Sequence, residues 1–214
     1  MKTAILSIIY YEPEWLETCK DLAAYAHGYP VFFVDRHGTG SLAAAINRGF
    51  LHHSMALRFD YVWVLTNVRF GPDCIQVLEK AMRENPAYAA LHPCFESDHS
   101  HLRAQPGMGL VDVPFVEFTA PLVHAWTFHR IGLDERMPYA GHDVDWGYRV
   151  RQIGGRIAVH HGVKVSHTYI RHNQTNHLVT LQRKTLREQH EQPTKDLIRK
   201  IYGPNHAELL GSNY

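Results

Sequence analysis

The stretch Tyr139–Arg151, YAGHDVDWGYRVR, concentrates side chains that could do chemistry. Asp143 and Asp145 stand one residue apart, just after Gly141 and at the start of a segment that reads as a helix carrying Arg149 and Arg151. A carboxylate at a loop-to-helix junction is stabilised by the helix N-terminus, while the loop keeps it open to a ligand. Such a group can take a proton from a hydroxyl or hold a cation. A second set lies earlier in the chain. Asp35 ends an apolar run and opens the turn Asp35-Arg36-His37-Gly38-Thr39-Gly40-Ser41. A strand-terminal Asp can accept hydrogen bonds from ribose hydroxyls or a base N–H, and the glycines let a ligand approach the backbone. Read locally, the same turn is a strand-to-helix connection with Asp35 and Ser41 as caps. Tyr10 and Tyr11 follow the first apolar run, where an aromatic ring can stack on a base or simply pack at the rim. Asn47 and Arg48 precede Gly49. The amide could meet a base and the guanidinium a phosphate, or the group is an ordinary Gly-marked helix end.

The elements that would position these groups follow from periodicity. Ala4–Tyr10, Val31–Asp35 and Tyr61–Leu65 are apolar runs without polar alternation, as expected of parallel strands covered on both faces. Helical patterns run over Glu14–His27, Ser41–Met55 and Asp73–Glu84, and Tyr88–Leu91 reads as a fourth strand. This alternation implies a doubly wound α/β sheet with right-handed crossovers, whose ligands bind at the C-terminal strand ends. Phe95–Gly109 reads as a loop, Val111–Phe118 as a strand, Pro121–Arg130 as a short helix and Val144–Ile153 as a helix. Arg156–His160 and Val163–His167 read as two β-like pieces. From Arg171 the chain turns polar and helical, and Pro193 is expected to separate two short helices.

Composition narrows the function classes. A chain of 214 residues with 45% hydrophobic and 20% charged residues suits one globular domain with an appendage. A formal net charge of +1 supplies no global field for nucleic acid or an anionic membrane. The basic clusters RKTLR and KDLIRK leave local contact with a membrane surface or phosphates open. The acidic and Gln residues between them favour a solvated helix packed on the domain. Three scattered cysteines, without a CxxC and without a signal peptide, lead us to expect reduced thiols and a cytoplasmic protein. The apolar run near the N-terminus is too short to span a membrane, so no transmembrane segment is expected. No GxGxxG follows the first strand and no phosphate-loop motif occurs, which weighs against hydride transfer and P-loop phosphoryl transfer. A metal hydrolase using His142, Asp143, His160 and His161 has no recognised ligand spacing behind it.

Four segments together carry a family resemblance: IIYYEPEWLETC, VDRHGTGSLAAAINRGF, YVWVLTNVRFGPD and IGLDERMPYAGHDVDWGYRVRQIGGRIAVHHGVKVSH. In this order and spacing they resemble family 2 glycosyltransferases of the GT-A (nucleotide-diphospho-sugar transferase) fold, and look most like the rhamnosyltransferase-type branch. The resemblance covers roughly residues 3–170. It implies a GT-A domain over 1–170, with a nucleotide half at about 1–92 and an acceptor half at about 93–170, followed by a helical extension over 171–214. It implies an inverting hexosyl- or deoxyhexosyltransferase that moves one sugar from a UDP-, GDP- or dTDP-sugar to a glycan or other hydroxyl acceptor. Absence of a QxxRW signature after the DVD implies single transfer. By the resemblance, Asp143 is the general base. Tyr10, Tyr11, Asp35, Asn47, Arg48 and Asn67 face the nucleotide sugar, and Glu117, Thr119, Asp145 and Trp146 face the acceptor. Asp145 has a second reading, as a structural partner of Arg149, and Trp146 a second reading as core.

Two departures from the family pattern matter. The Glu that precedes the base is His142 here, a neighbour that would depress the base's pKa relative to a carboxylate. The acidic metal ligand after the third strand is Asn67, an amide without charge, whereas Mg²⁺ and Mn²⁺ prefer carboxylate oxygens. The late ligand His167 is present. Asn67 and His167 are therefore weak candidates for a divalent cation, and Arg48, Arg69 or Arg103 would otherwise have to stabilise the leaving group. Asn67 also keeps open a catalytically weak or inactive nucleotide- or glycan-binding module. A transferase acting on hydroxylated nucleic-acid bases is a further alternative.

Overall fold

The apolar runs become the buried strands of one mixed sheet. A computed structural model describes residues 2–9, 12–36, 40–96, 102–105, 107–137, 140–167 and 177–212. In chain order its elements are β1 (Thr3–Ile9), α1 (Glu12–Tyr25), β2 (Val31–Asp35), α2 (Leu42–His52), α3 (Met55–Arg58), β3 (Tyr61–Leu65), β4 (Val68–Phe70), α4 (Cys74–Glu84) and β5 (Tyr88–Phe95). Then come β6 (Leu110–Asp112), β7 (Leu122–His124), α5 (Ala125–Ile131), α6 (His142–Gln152), β8 (Arg156–His167), α7 (His177–Tyr202) and α8 (His206–Leu210). The strand order is β2-β1-β3-β7-β5-β8-β4, with β6 also paired to β8. β1, β2 and β3 pair in parallel, as do β5 and β8, while β7 runs antiparallel between β3 and β5. β4 and β6 pair antiparallel with β8. Five strands therefore share one direction, and the sheet is mixed but mostly parallel.

Burial follows position in the sheet. β3 and β5 are buried along their whole length, whereas β2, at the edge, is half-exposed. The main core joins both helical layers to the sheet. A second, small core of Met137, Val144, Ile198 and Leu210 lies between α6, α7 and α8. The C-terminal segment is thus packed on the element that carries Asp143.

Several elements differ from the sequence expectation. Of the expected 111–118 strand only Val111 and Asp112 pair, together with Leu110 before them. Pro114 has no N–H to continue a ladder, and the chain beyond it crosses onto α6. The expected helix over 121–130 begins as β7, because a short buried apolar run reads the same as strand or helix. β4 was not anticipated, and the two pieces at 156–167 form one strand. Pro193 lies inside α7 rather than between two helices. Gln192–Asp196 and Lys195–Glu191 side-chain bonds of 2.8 and 2.7 Å span the turn where Pro193 lacks a donor. The thiols of Cys19, Cys74 and Cys94 form no disulfide among the described residues. Among the described residues no helix is long and apolar enough to cross a membrane.

Candidate active site

The C-terminal ends of the parallel strands converge, and the candidate residues distribute along them. Asp35 ends β2 level with Ile9 of β1, is exposed, and the Arg36 N–H closes the strand end on the Ile9 carbonyl at 3.1 Å. Ser41 caps α2, its Oγ accepting the Ala44 N–H at 3.1 Å, as the local reading of that turn expects. Tyr10 and Tyr11 lie outside the described residues, as do His37, Gly38 and Thr39.

The turn between β3 and β4 holds Asn67, which is buried. Thr18 of α1 braces this turn: its hydroxyl lies 3.1 and 2.9 Å from the carbonyl oxygens of Thr66 and Val68 and 3.2 Å from the Val68 N–H. Antiparallel pairing sets Val68 opposite His167, so Asn67, one residue earlier, and His167 lie at the same end of the β4–β8 pair. The His167 ring stacks on Phe95 at 5.9 Å. Both candidate ligands are neutral donors. Among the described residues no group of three His, Cys, Asp or Glu side chains is arranged to hold a metal ion. Without a carboxylate this pair does not by itself fit a hard divalent cation. The guanidinium of Arg69 is committed elsewhere, with Nε and Nη2 donating to Asp21 at 2.6 and 2.8 Å and Nη1 to Glu17 at 3.0 Å. It is therefore not the leaving-group cation that the sequence allowed. Arg48, on α2, and Arg103 are exposed, and the Arg103 backbone bridges to Phe95 at the end of β5.

The segment 114–121 connects this edge to α6. The Thr119 carbonyl accepts the Thr66 N–H at 2.9 Å, next to Asn67. Buried His92 holds the Thr119 hydroxyl: Nδ1 lies 2.5 Å from the Pro93 carbonyl oxygen and Nε2 2.9 Å from Thr119 Oγ1. The carbonyl can only accept, so Nδ1 carries a proton, and in the neutral ring Nε2 accepts from the threonine hydroxyl. His92 was not among the sequence candidates; a lone histidine inside the buried run YAALHPCF was the available signal. Two residues before Thr119, Glu117 is carried against α6. There Gly147 admits the chain: a Cβ on it would sit 2.6 Å from both the Pro114 oxygen and the Phe115 Cβ.

Asp143 lies in the first turn of α6, half-buried. The turn is entered through Gly141 at φ 85°, a left-handed conformation that favours glycine. The Val144 N–H donates to Asp143 Oδ1 at 2.9 Å, and among the described residues the other oxygen has no hydrogen-bond partner. His142 is buried with its ring nitrogen 3.2 Å from the Met137 oxygen. Asp143 has a carboxyl neighbour in Glu117. Burial, and then the charge of Asp143, push the Glu117 carboxyl up to about 7. Glu117 makes no hydrogen bond or ion pair among the described residues. A half-buried acid that holds its proton near neutral pH beside a second carboxyl group is the usual arrangement for acid–base work on a bound hydroxyl.

Three candidates are occupied by the fold. Asn47 does not face a nucleotide: Nδ2 donates to the Leu133 oxygen at 2.8 Å and to Glu135 Oε1 at 3.0 Å, and Oδ1 accepts the Leu133 N–H at 2.9 Å. Trp146 offers no platform to a sugar, being 0% exposed, with Phe118 at 5.2 Å and Phe128 at 6.0 Å between ring centroids. Asp145 is buried and bonded to Arg149 and the Tyr202 hydroxyl, which is the structural alternative read from the sequence.

Comparison with known proteins bears on the fold. No protein-family profile and no curated protein sequence matches the chain. Solved structures do. One is GalNAc-T7 with UDP, GalNAc and Mn²⁺, at TM-score 0.54 and 10% identity, covering 78% of this chain and 44% of that one. Another is the catalytic domain of Drosophila β1,4-galactosyltransferase 7 in complex with xylobiose, at TM-score 0.53 and 17% identity, covering 78% of this chain and 71% of that one. The chain thus spans less than half the length of GalNAc-T7. At these identities the likeness defines the fold: the mixed, mostly parallel α/β sheet is that of the GT-A glycosyltransferases. It does not bear on the rhamnosyltransferase-type branch.

Proposed function

We propose that the chain is an inverting, single-transfer glycosyltransferase that uses a nucleoside-diphosphate sugar and a hydroxyl acceptor. The observation that carries this reading is Asp143: a half-buried carboxylate at a helix N-terminus, one oxygen held by Val144 and the other without a hydrogen bond among the described residues, on a GT-A fold. In the proposed reaction Asp143 takes the proton of the acceptor hydroxyl as that oxygen bonds to the anomeric carbon. The bond from that carbon to the diphosphate oxygen breaks on the opposite face, and the nucleoside diphosphate leaves. General-base help of this kind is worth roughly 10²–10⁴-fold. Glu117 and Thr119 hold neighbouring acceptor hydroxyls, Asp35 holds the nucleoside, and Arg103 and Arg48 are the cations proposed for the diphosphate. No step is routed through a metal, since neither Asn67 nor His167 is itself a carboxylate, the ligand a hard divalent cation prefers. Melting-temperature screening against UDP-, GDP- and dTDP-sugars, each with and without Mn²⁺, tests donor class and metal dependence together. A donor-stabilised protein that then transfers sugar or slowly hydrolyses the donor supports the reading.

Asn67 favours a second reading, in which the same fold binds a nucleotide or glycan without turnover. Stabilisation by a nucleotide sugar with no hydrolysis over prolonged incubation, with or without Mn²⁺, would select it.

A further inference from the structure

The C-terminal segment falls outside the family resemblance, yet it is built into the support of Asp143. A Cβ on Gly141, the residue before α6, would lie 2.8 Å from Thr194 Cγ2 and 3.0 Å from Ile198 Cδ1, so α7 lies directly on the turn that delivers Asp143. Around that contact Met137, Val144, Ile198 and Leu210 form the small second core, with Phe115, Tyr148, Leu197 and Tyr202 against it. A polar chain runs through this apolar surrounding. The Tyr202 hydroxyl donates to Asp145 Oδ1, and Arg149 Nε donates to Asp145 Oδ2 at 2.8 Å. Arg149 continues to the Ile131 and Gly132 carbonyls at 2.7 and 3.0 Å. The next residue, Leu133, is gripped by Asn47 of α2, the helix that follows Asp35. The Asp145–Arg149 link lies within α6, the other links join separate elements, and the chain ends on α2, the helix that follows Asp35.

We propose that Tyr202 is a positioning residue for Asp143: acting through Asp145 and Arg149, it fixes the first turn of α6 against the 131–133 loop and so sets where the base stands relative to the donor side. The C-terminal helix is on this view part of the acceptor half and not an appendage. Burial, then the bond to Asp145, holds the Tyr202 hydroxyl well above its ordinary pKa, so it remains a donor throughout the neutral range. Removing only that hydroxyl frees one Asp145 oxygen in a buried setting and leaves the ring packed on Tyr148, 5.1 Å between centroids. A loosened first turn displaces the base, and a misplacement of about 1 Å costs on the order of 100-fold in rate.

The test uses the full chain and Tyr202→Phe, with Leu22→Ala, a core change in α1, as a variant that lowers stability by another route. Amide hydrogen exchange at residues 140–146 is expected to rise about tenfold or more in Tyr202→Phe while β1 and β3 stay protected. Leu22→Ala should leave residues 140–146 unchanged. Unchanged exchange there in Tyr202→Phe, or an equal rise in Leu22→Ala, overturns the positioning role. The kinetic arm rests on the transferase reading above. With any donor that wild type turns over, Tyr202→Phe should lower kcat by about 10- to 100-fold with KM for the donor and UDP affinity within about twofold. A rise in donor KM at unchanged kcat overturns the proposal. A wild type inactive with every donor overturns the transferase reading alone, because the exchange arm decides the positioning claim independently.

Discussion

Replacing Glu117 by Gln should stabilise the protein at alkaline pH and do nothing at acid pH. Glu117, on the 114–121 segment beside α6, has no hydrogen-bonding partner among the described residues, and its carboxyl is raised from 4.5 to about 7 by burial first and the Asp143 charge second. Below pH 4.5 both folded and unfolded chains carry the proton, and the group contributes no pH dependence. Between 4.5 and about 7 the unfolded chain releases the proton while the folded chain keeps it, so stability falls as pH rises. Above about 7 the full penalty of an ionised, half-buried carboxylate stands. Each pH unit is worth about 1.4 kcal/mol, which gives an upper value of about 3 kcal/mol, reduced to roughly 2–3 kcal/mol by the solvent that reaches the group. Glutamine keeps the shape and is neutral throughout. The stability difference between variant and wild type should therefore grow by roughly 2–3 kcal/mol from pH 4.5 to pH 8.5, or about 5–10 °C in Tm for a chain of this size. The 17 histidines titrate in both proteins and cancel in the difference. Urea or thermal unfolding of both at the two pH values measures it. A difference independent of pH, or one that shrinks as pH rises, would falsify the placement of Glu117 beside Asp143 in a poorly solvated site.

Further predictions concern the supports and the donor side. Gly147→Ala forces a methyl to within 2.6 Å of the Pro114 oxygen and Phe115 Cβ, and should cost about 1–3 kcal/mol in unfolding free energy and impair transfer together. Asn47→Ala removes three hydrogen bonds to the 133–135 loop, and should lower stability by about 1–3 kcal/mol while UDP binding, read by calorimetry, stays unchanged. Loss of nucleotide binding at unchanged stability would return Asn47 to the donor site. Arg103→Ala should weaken UDP binding by roughly 10- to 150-fold with uridine binding unaffected, since a charge-assisted bond to phosphate contributes about 1.5–3 kcal/mol.

The parts of this protein that could be read from its sequence are those encoded locally. Val31–Asp35 and Tyr61–Leu65 are strands with the bounds their apolar runs suggest, and Asp143 does stand at a helix N-terminus behind a glycine. What could not be read depends on partners far along the chain. Asn47 beside Gly49 gives no hint that its amide meets Leu133, 86 residues away. Trp146 looked able to stack on a sugar until Phe118 and Phe128, from two other segments, enclosed it. Tyr202 reaches Asp145 across 57 residues, from a tail with no family pattern to draw attention to it. β7 was illegible for a different reason: three residues inserted antiparallel between parallel strands carry no periodicity of their own.

The most direct test of the central claim is sugar transfer by Asp143→Asn compared with its affinity for nucleoside diphosphate. Wild type is first matched to a donor by the nucleotide-sugar panel. With that donor the variant should lose about 100-fold or more in kcat, while its Kd for the corresponding nucleoside diphosphate stays within about twofold, because Asp143 touches the acceptor proton and not the nucleotide in the proposed mechanism. Near-normal turnover by Asp143→Asn would contradict the assignment of the base.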